Sequence, residues 1–184
     1  AGRMDADGIR RTVAEVAGVL RAREQSFRDL GIESMRDFRQ RKARLAALPP
    51  EEAARDPLSK DNFGDVVLVI DGWGSIKSDF ESLEPTLQSL AIQGLSYGVH
   101  VAVSASRWME IRPAVKDMLG TRIELRLGDP IDSDVDRRSA ELVPIGRPGR
   151  GINPQRLHIL TGLPRLDSSF DVEDLPAGVA AAVE

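Results

Sequence analysis

An unbroken apolar run, Val66 to Ile70, constrains the fold of this chain more than any other feature. Its apolar residues follow one another without interruption and stop at a single acid, Asp71. Such a run predicts a strand that is buried on both faces, as in a parallel sheet covered by helices. Because open α/β sheets bind ligands at the carboxyl edge of their strands, an acid at this position is a candidate ligand-binding residue.

The composition limits the class of protein. With 184 residues, 41% of them hydrophobic, the chain can bury one core, and a single domain over residues 1–184 is expected. The formal charge of -4, from 25 basic and 29 acidic residues, does not favour binding of nucleic acid. The absence of cysteine excludes disulfides and thiolate metal sites, and His100 and His158 lie too far apart in sequence to indicate a zinc cluster.

Neither a bilayer-spanning apolar run nor a secretory signal is found in the sequence. We therefore predict no direct membrane insertion. Because Ala1 is not an initiator methionine, we expect the chain to be a piece of a longer protein.

Apolar periodicity and composition divide the chain into segments. A three-four spacing of apolar residues predicts a long amphipathic helix with Gly31 as its C-cap. The predicted order is a helical segment 9–48, a surface linker 49–62 rich in proline and acids, a sheet core 63–167 and a tail 168–184 with an alanine-rich helix.

Strands and helices alternate within the sheet core. The predicted strands are 66–70, 99–106, 121–127 and 156–162, and the predicted helices are 79–94 and 113–119. A Gly/Arg/Pro loop is predicted at 146–153. This alternation predicts an α/β fold with a mostly parallel sheet flanked by helices.

The order of these parts resembles a known family. A predicted helix ends in Gln-Gly-Leu-Ser-Tyr-Gly-Val-His at 93–100, and it is followed by Val-Ala-Val-Ser-Ala-Ser-Arg, Gly-Thr-Arg-Ile-Glu-Leu-Arg-Leu and Asp-Ser-Asp. This order resembles the carboxyl-terminal half of an FtsK/SpoIIIE-type ATPase domain. Asp-Gly-Trp at 71–73, Gly-Asp-Pro at 128–130 and Gly-Arg-Pro-Gly-Arg-Gly at 146–151 narrow the resemblance to the EccC motors of actinobacterial type VII (ESX) secretion.

The resemblance covers residues 9–167 and implies an incomplete P-loop (RecA/FtsK-like) sheet. Asp71 takes the Walker B position, whose acid holds the Mg²⁺ of bound ATP, here through a water molecule. The phosphate-binding motif G-x-x-x-x-G-K-[ST] does not occur in the chain, so ATP and Mg²⁺ are implied as cofactors while half of their site is missing.

Three further positions follow from the resemblance. Gly72 stands where active members carry the acid that polarises the attacking water, and Ser106 stands where a polar amide lies near the γ-phosphate. Arg23 is the candidate arginine finger toward a neighbouring subunit, with Arg21 as the alternative. The residues alone leave other readings open, because Asp71 could simply cap a strand and Arg23 could be a surface arginine whose stem packs on the apolar stripe.

Trp73 and Trp108 each follow a predicted strand end and are candidate peptide-binding residues. They could form an apolar groove for a helical segment, or they could be ordinary packing residues.

The resulting hypothesis is a degenerate or regulatory ATPase module of a type VII secretion motor, with weak or no hydrolysis by itself. Its expected partners are other ATPase domains or subunits of the motor, with secreted substrates of the Trp-x-Gly type as further candidates. It would lie in the cytoplasm, as part of a complex at the cytoplasmic membrane. The alternatives are an FtsK-like DNA translocase, which would need a basic channel, and a nucleotide-free interaction domain.

Overall fold

The computed structural model describes residues 1–2, 4–163, 165 and 172–183. The chain divides into two compact units, unit 1 over Ala1–Gly120 and unit 2 over Thr121–Glu184. No helix among the described residues combines the length and the apolar character needed to cross a bilayer.

A long helix, α1 (Ala6–Leu30), opens unit 1 and confirms the predicted amphipathic helix. The Asp5 carboxylate caps its start by accepting a hydrogen bond from the Gly8 amide at 2.8 Å. Gly31 ends the helix in the left-handed conformation, with φ of 59°, as predicted for a C-cap. The buried face of α1 packs on the strands and helices of unit 1.

Five further helices follow in unit 1. Their bounds are α2 (Met35–Ala46), α3 (Pro50–Ala53), α4 (Trp73–Asp79), α5 (Glu84–Gln93) and α6 (Pro113–Lys116). Pro85 lies in the first turn of α5, where the missing amide costs little. The predicted linker 49–62 contains α3 and a 3-10 turn, Pro57–Lys60, and it buries Leu58 among apolar residues of α1 and α2.

Two parallel strands form the sheet of unit 1, which confirms the predicted α/β class. β1 (Val66–Ile70) pairs with β2 (Val99–Val103), and the register places Val66 opposite Val99 and Ile70 opposite Val103. β2 ends three residues before the predicted end at Ser106. Leu68 and Ile70 lie in the core with Val99, so one face of β1 is buried as predicted.

The other face of β1 differs from the prediction that both faces are buried. Val67 is 58% exposed and Val69 is 69% exposed, and the neighbouring Ala102 of β2 is exposed as well. Side chains alternate between the two faces of a strand, so these residues form one apolar surface, called here the open face. No described residue covers enough of it to bury these valines.

Unit 2 contains a small antiparallel sheet. Its strands are β3 (Glu124–Leu125), β4 (Arg150–Ile152) and β5 (His158–Leu160), in the order β3-β4-β5. The predicted strand at 121–127 is therefore shorter than expected and pairs antiparallel with β4, which lies in the predicted 146–153 loop. Helix α7 (Arg137–Glu141) covers Ile152, and α8 (Leu175–Val183) is the alanine-rich helix predicted in the tail.

Arg23 of α1 is a buried charged side chain, with 1% of its surface exposed. Its Nε donates to Asp61 Oδ2 at 2.7 Å, its Nη2 donates to the Gly64 carbonyl at 2.6 Å, and its Nη1 donates to the Tyr97 carbonyl at 2.8 Å. The guanidinium also lies 4.8 Å from the ring centre of Phe38. Arg23 thus joins α1 to the segments that lead into β1 and β2.

A second ion pair holds the same end of β1 from α2. Arg39 donates to both carboxylate oxygens of Asp65, at 3.0 and 2.8 Å, and His100 Nε2 lies 3.3 Å from Asp65 Oδ1. Hydrogen bonds from Arg39, together with those from His100, hold the pKa of the Asp65 carboxyl below its ordinary value. The amino ends of both strands are therefore fixed by charged contacts.

We predict that Arg23→Met lowers the free energy of unfolding by about 3–5 kcal/mol, because the Asp61 carboxylate and the carbonyls of Phe63, Gly64 and Tyr97 lose the donor that Arg23 supplies. Arg23→Lys keeps the charge but loses the planar fork, so an intermediate loss is expected. Urea unfolding followed by circular dichroism measures both. The matched control is Arg21→Met on the exposed side of the same helix, expected within about 0.5 kcal/mol of the parent chain. Equal effects at positions 21 and 23 would contradict the role of the buried network.

Candidate functional site

The carboxyl ends of β1 and β2 meet at one edge of the parallel sheet. Because Ile70 lies opposite Val103, the residues that follow, Asp71 and Ser104, lie opposite each other. The Ser104 hydroxyl donates to Asp71 Oδ1 at 2.5 Å. The same hydroxyl oxygen accepts the Gly72 amide at 2.8 Å. The structure therefore brings Ser104, and not the predicted Ser106, to Asp71.

Ser106 lies beyond the end of β2 and is exposed, and its nucleotide-sensing role stays a prediction. The sequence contained a signal that could have identified Ser104. The alternating Val99, Val101 and Val103 stop there, and Ser104 is the first polar residue after them. Counting the two strands from their first residues would have paired it with Asp71.

Gly72 makes the turn that carries the chain from β1 into α4. Its φ of 84° lies in the left-handed region, where a side chain is strained and glycine is favoured. A carboxylate at this position would therefore meet a backbone conformation that disfavours it. The absence of an acid after Asp71 agrees with the local geometry of this turn.

A cavity of about 410 Å³ lies beside Asp71 within unit 1. Apolar side chains of α1, β1 and α4 line it together with Ala1, Gly2, Phe80 and Leu87. Thr12, Asp71 and Ser75 are its polar side chains. Its volume is in the range of small-ligand sites, which are apolar with a few polar groups.

The edge fits one part of a magnesium–nucleotide site. Asp71 is exposed, and its second carboxylate oxygen makes no hydrogen bond to a described residue, so it can accept one from a water molecule of a bound cation. The described residues contain no group of three or more metal-ligating side chains. The chain can thus contribute one carboxylate contact, while a cradle of backbone amides for the phosphates would need the motif that its sequence lacks.

The two predicted peptide-binding tryptophans are placed differently. Trp73 opens α4 and is 1% exposed, and it packs in the core of unit 1, where its Nε1 has no hydrogen-bond partner among the described residues. Trp108 is half-buried, in the 3-10 turn Trp108–Glu110. A peptide could contact Trp73 only if the core opened, so of the predicted pair Trp108 is the accessible one. Peptide binding by either residue stays a prediction.

The sequence suggested either an arginine finger or a surface arginine for Arg23, and its position in the structure differs from both. Its guanidinium is neither at the surface nor directed to a neighbour, because its donors are occupied by Asp61 and by backbone carbonyls of unit 1. An arginine-finger role would require the loss of these bonds. Arg21, the alternative, is exposed on α1.

The profile of the FtsK/SpoIIIE family matches residues 1–168. The chain is 46% identical over 184 residues to the ESX secretion system protein EccC of Thermomonospora curvata, and 47% identical over 167 residues to the ESX-4 secretion system protein EccC4 of Mycobacterium tuberculosis. It covers 13% and 12% of the length of these relatives, and 100% and 91% of the chain is aligned.

Solved structures agree with these matches. The structure of Thermomonospora curvata EccC (ATPases 2 and 3) in complex with a signal sequence peptide aligns with a TM-score of 0.88 at 46% identity, over 100% of this chain and 31% of its own. EssC (ATPases 2 and 3) from Geobacillus thermodenitrificans shares the fold at 20% identity, with a TM-score of 0.68 over 96% of this chain and 31% of its own. The expected resemblance is thereby confirmed.

We predict that Trp73→Ala lowers the free energy of unfolding by about 3–5 kcal/mol, because it leaves a large cavity in the core of unit 1. Trp108→Ala, which removes a half-buried ring, is expected to cost less than half as much. Urea unfolding followed by far-ultraviolet circular dichroism measures both without relying on tryptophan fluorescence. A loss at Trp73 no larger than that at Trp108 would contradict the assignment of Trp73 to the core.

Proposed function

The chain belongs to the FtsK/SpoIIIE family, and from that premise we propose that it is a low-activity, regulatory ATPase module of a type VII secretion motor. In this role it binds neighbouring ATPase domains of the motor, and it contributes Asp71 to nucleotide binding. The homologues are EccC components of ESX secretion systems. The open face of the parallel sheet is the observation that most directly supports association.

A parallel sheet is normally covered on both faces, because βαβ connections place helices there. In unit 1 the core covers one face, while Val67 and Val69 of the open face remain 58% and 69% exposed. Burying a valine side chain contributes roughly 1.5 kcal/mol or more, so covering both would stabilise a complex appreciably. An apolar surface of this kind favours contact with protein over contact with nucleic acid.

We propose that the partner on the open face is another ATPase segment of the motor. The relatives are far longer than this chain, and the Thermomonospora curvata structure with TM-score 0.88 is of EccC ATPases 2 and 3. Segments of one such long polypeptide would be at high effective concentration, which favours an apolar contact between them.

We propose weak or absent hydrolysis by the chain alone. Asp71 can hold a water of the cation, and Mg²⁺ would supply positive charge to the phosphates of ATP. Gly72 has no side chain that could polarise the attacking water. Because positioned charge near a reacting group contributes orders of magnitude to rate, its absence supports a regulatory role over a catalytic one.

Recognition of a secreted signal segment is the third part of the proposal. A relative at 46% identity has been solved with a signal sequence peptide bound. In this chain, half-buried Trp108, in the 3-10 turn that follows β2, is the proposed aromatic anchor, and secreted substrates of the Trp-x-Gly type are the proposed source of the segment. A cytoplasmic location within a membrane-associated complex is proposed because another solved relative is the cytoplasmic domain of Thermomonospora curvata EccC.

We predict that the purified chain does not release phosphate from ATP above a no-protein control, since Gly72 cannot polarise water and the phosphate-binding motif is absent from the sequence. A coupled phosphate assay with Mg²⁺ present measures this. The control is Asp71→Ala, which is expected to release no phosphate either. Turnover by the parent chain that Asp71→Ala abolishes would contradict the proposal.

The open face leads to a separate prediction. Val67→Ser combined with Val69→Ser is expected to weaken binding to the purified cytoplasmic domain of Thermomonospora curvata EccC by about tenfold or more. Isothermal titration calorimetry measures the affinity. Met118→Ser, at an exposed apolar residue of unit 1 outside β1 and β2, is the matched control and is expected to bind within about twofold of the parent chain. Unchanged affinity of the folded double variant would remove the open face as an interface.

A further inference from the structure

Ser104 makes four hydrogen bonds to four successive residues at the end of β1. Its amide donates to the Ile70 carbonyl at 2.9 Å, and its carbonyl accepts the Trp73 amide at 2.8 Å. Between these backbone bonds, its hydroxyl donates to Asp71 Oδ1 at 2.5 Å and its oxygen accepts the Gly72 amide at 2.8 Å. This set of contacts is called the Ser104 clasp.

We propose that Ser104 is a positioning residue that holds the Asp71 carboxylate for a hydrated divalent cation. This inference rests on the proposed cation-binding role of Asp71. The hydroxyl occupies Oδ1 and leaves Oδ2 as the oxygen available to a water molecule of the cation. Ser104 itself does not touch the nucleotide in this assignment, so its effect passes through Asp71.

The physical basis is preorganisation. An exposed aspartate with no partner samples several side-chain conformations, and ordering it on cation binding costs conformational entropy. The bond at 2.5 Å is in the short range typical of a hydroxyl donating to a carboxylate, and such charge-assisted bonds are stronger than neutral ones. Groups bonded to a metal-binding side chain fix its orientation in the same way.

In the Ser104 clasp, the bonds made by the hydroxyl are distinct from those made by the backbone. Two of its bonds use only the amide and carbonyl of Ser104, so they persist when the side chain is replaced. Removal of the hydroxyl affects Asp71 and the Gly72 amide, both at an exposed edge where water can replace the lost bond. Substitution at Ser104 can therefore test the carboxylate without breaking the connection between β1 and β2.

The test is a Mn²⁺ titration of the ¹⁵N-labelled full chain, observed as paramagnetic broadening of the Gly72 and Trp73 amide signals. Ser104→Ala is expected to weaken the apparent Mn²⁺ affinity by about tenfold, the lower end of the range for removing a partner of a metal-binding side chain. Ser104→Thr keeps a hydroxyl and is expected to restore the affinity to within about twofold. Ser78→Ala, an exposed serine of α4 whose hydroxyl bonds Ser75 and Asp79, is the control and should leave the affinity unchanged.

The Asp71→Asn variant separates the proposed role of Asp71 from that of Ser104. If the broadening persists in Asp71→Asn, then Asp71 does not hold the cation and the proposed nucleotide role fails with it. If Asp71→Asn abolishes the broadening while Ser104→Ala binds as the parent chain does, then only the role of Ser104 is overturned. If Ser104→Thr fails to restore the affinity lost in Ser104→Ala, the hydroxyl is not the group responsible and the inference is likewise overturned.

Discussion

The buried guanidinium of Arg23 is the contact on which the arrangement of unit 1 depends. A charged group in the interior is tolerated only when its charge is paired and its donors are occupied, and Asp61 together with carbonyls of Gly64 and Tyr97 meets both conditions. These partners come from the segment before β1 and the segment before β2. Helix α1 therefore sets where both strands begin, and it does so with directional bonds that apolar packing alone could not supply.

The opposite end of the sheet is held in a different way. At the carboxyl edge, Ser104 bonds the successive residues from Ile70 to Trp73 and fixes the turn into α4. The turn passes through Gly72 in a left-handed conformation, and Trp73 then enters the core. The result is an exposed carboxylate, Asp71, on a backbone that is bonded to its neighbour strand on both sides of the acid. Such rigidity suits the cation-binding role proposed for Asp71.

The two faces of the sheet explain why the chain is proposed to function as part of an assembly. One face belongs to the core, while Val67 and Val69 of the open face are largely exposed. Single apolar residues are tolerated at a protein surface, but a contiguous apolar surface is more often covered by a partner. Its burial then makes association more favourable. The EccC relatives, of which the chain covers 13% and 12%, are the family context in which such a partner is expected.

Local physical chemistry was sufficient to predict part of this protein. The sequence directly predicts helix α1, its end at Gly31 and the strand Val66–Ile70 that stops at Asp71. Each of these features depends on interactions within a few residues. The α/β class and the family resemblance were predicted correctly as well. The antiparallel pairing of unit 2 was not, because β4 is three residues long within a stretch rich in Gly, Arg and Pro, and it carries too little periodicity to distinguish it from a loop.

Tertiary structure decided which side chains work together. Arg23 meets Asp61 across 38 positions of sequence, and Asp71 meets Ser104 across 33. The first pairing has no signal in the sequence, and the second follows from the sequence only once β1 and β2 are known to be neighbours in register. The same holds for burial, since Trp73 and Trp108 both follow strand ends but only Trp73 lies in the core. Sequence determines the local conformation of each segment through short-range sterics and hydrogen bonds. Partners and exposure depend on register and packing between distant segments, which exist only once the chain has folded.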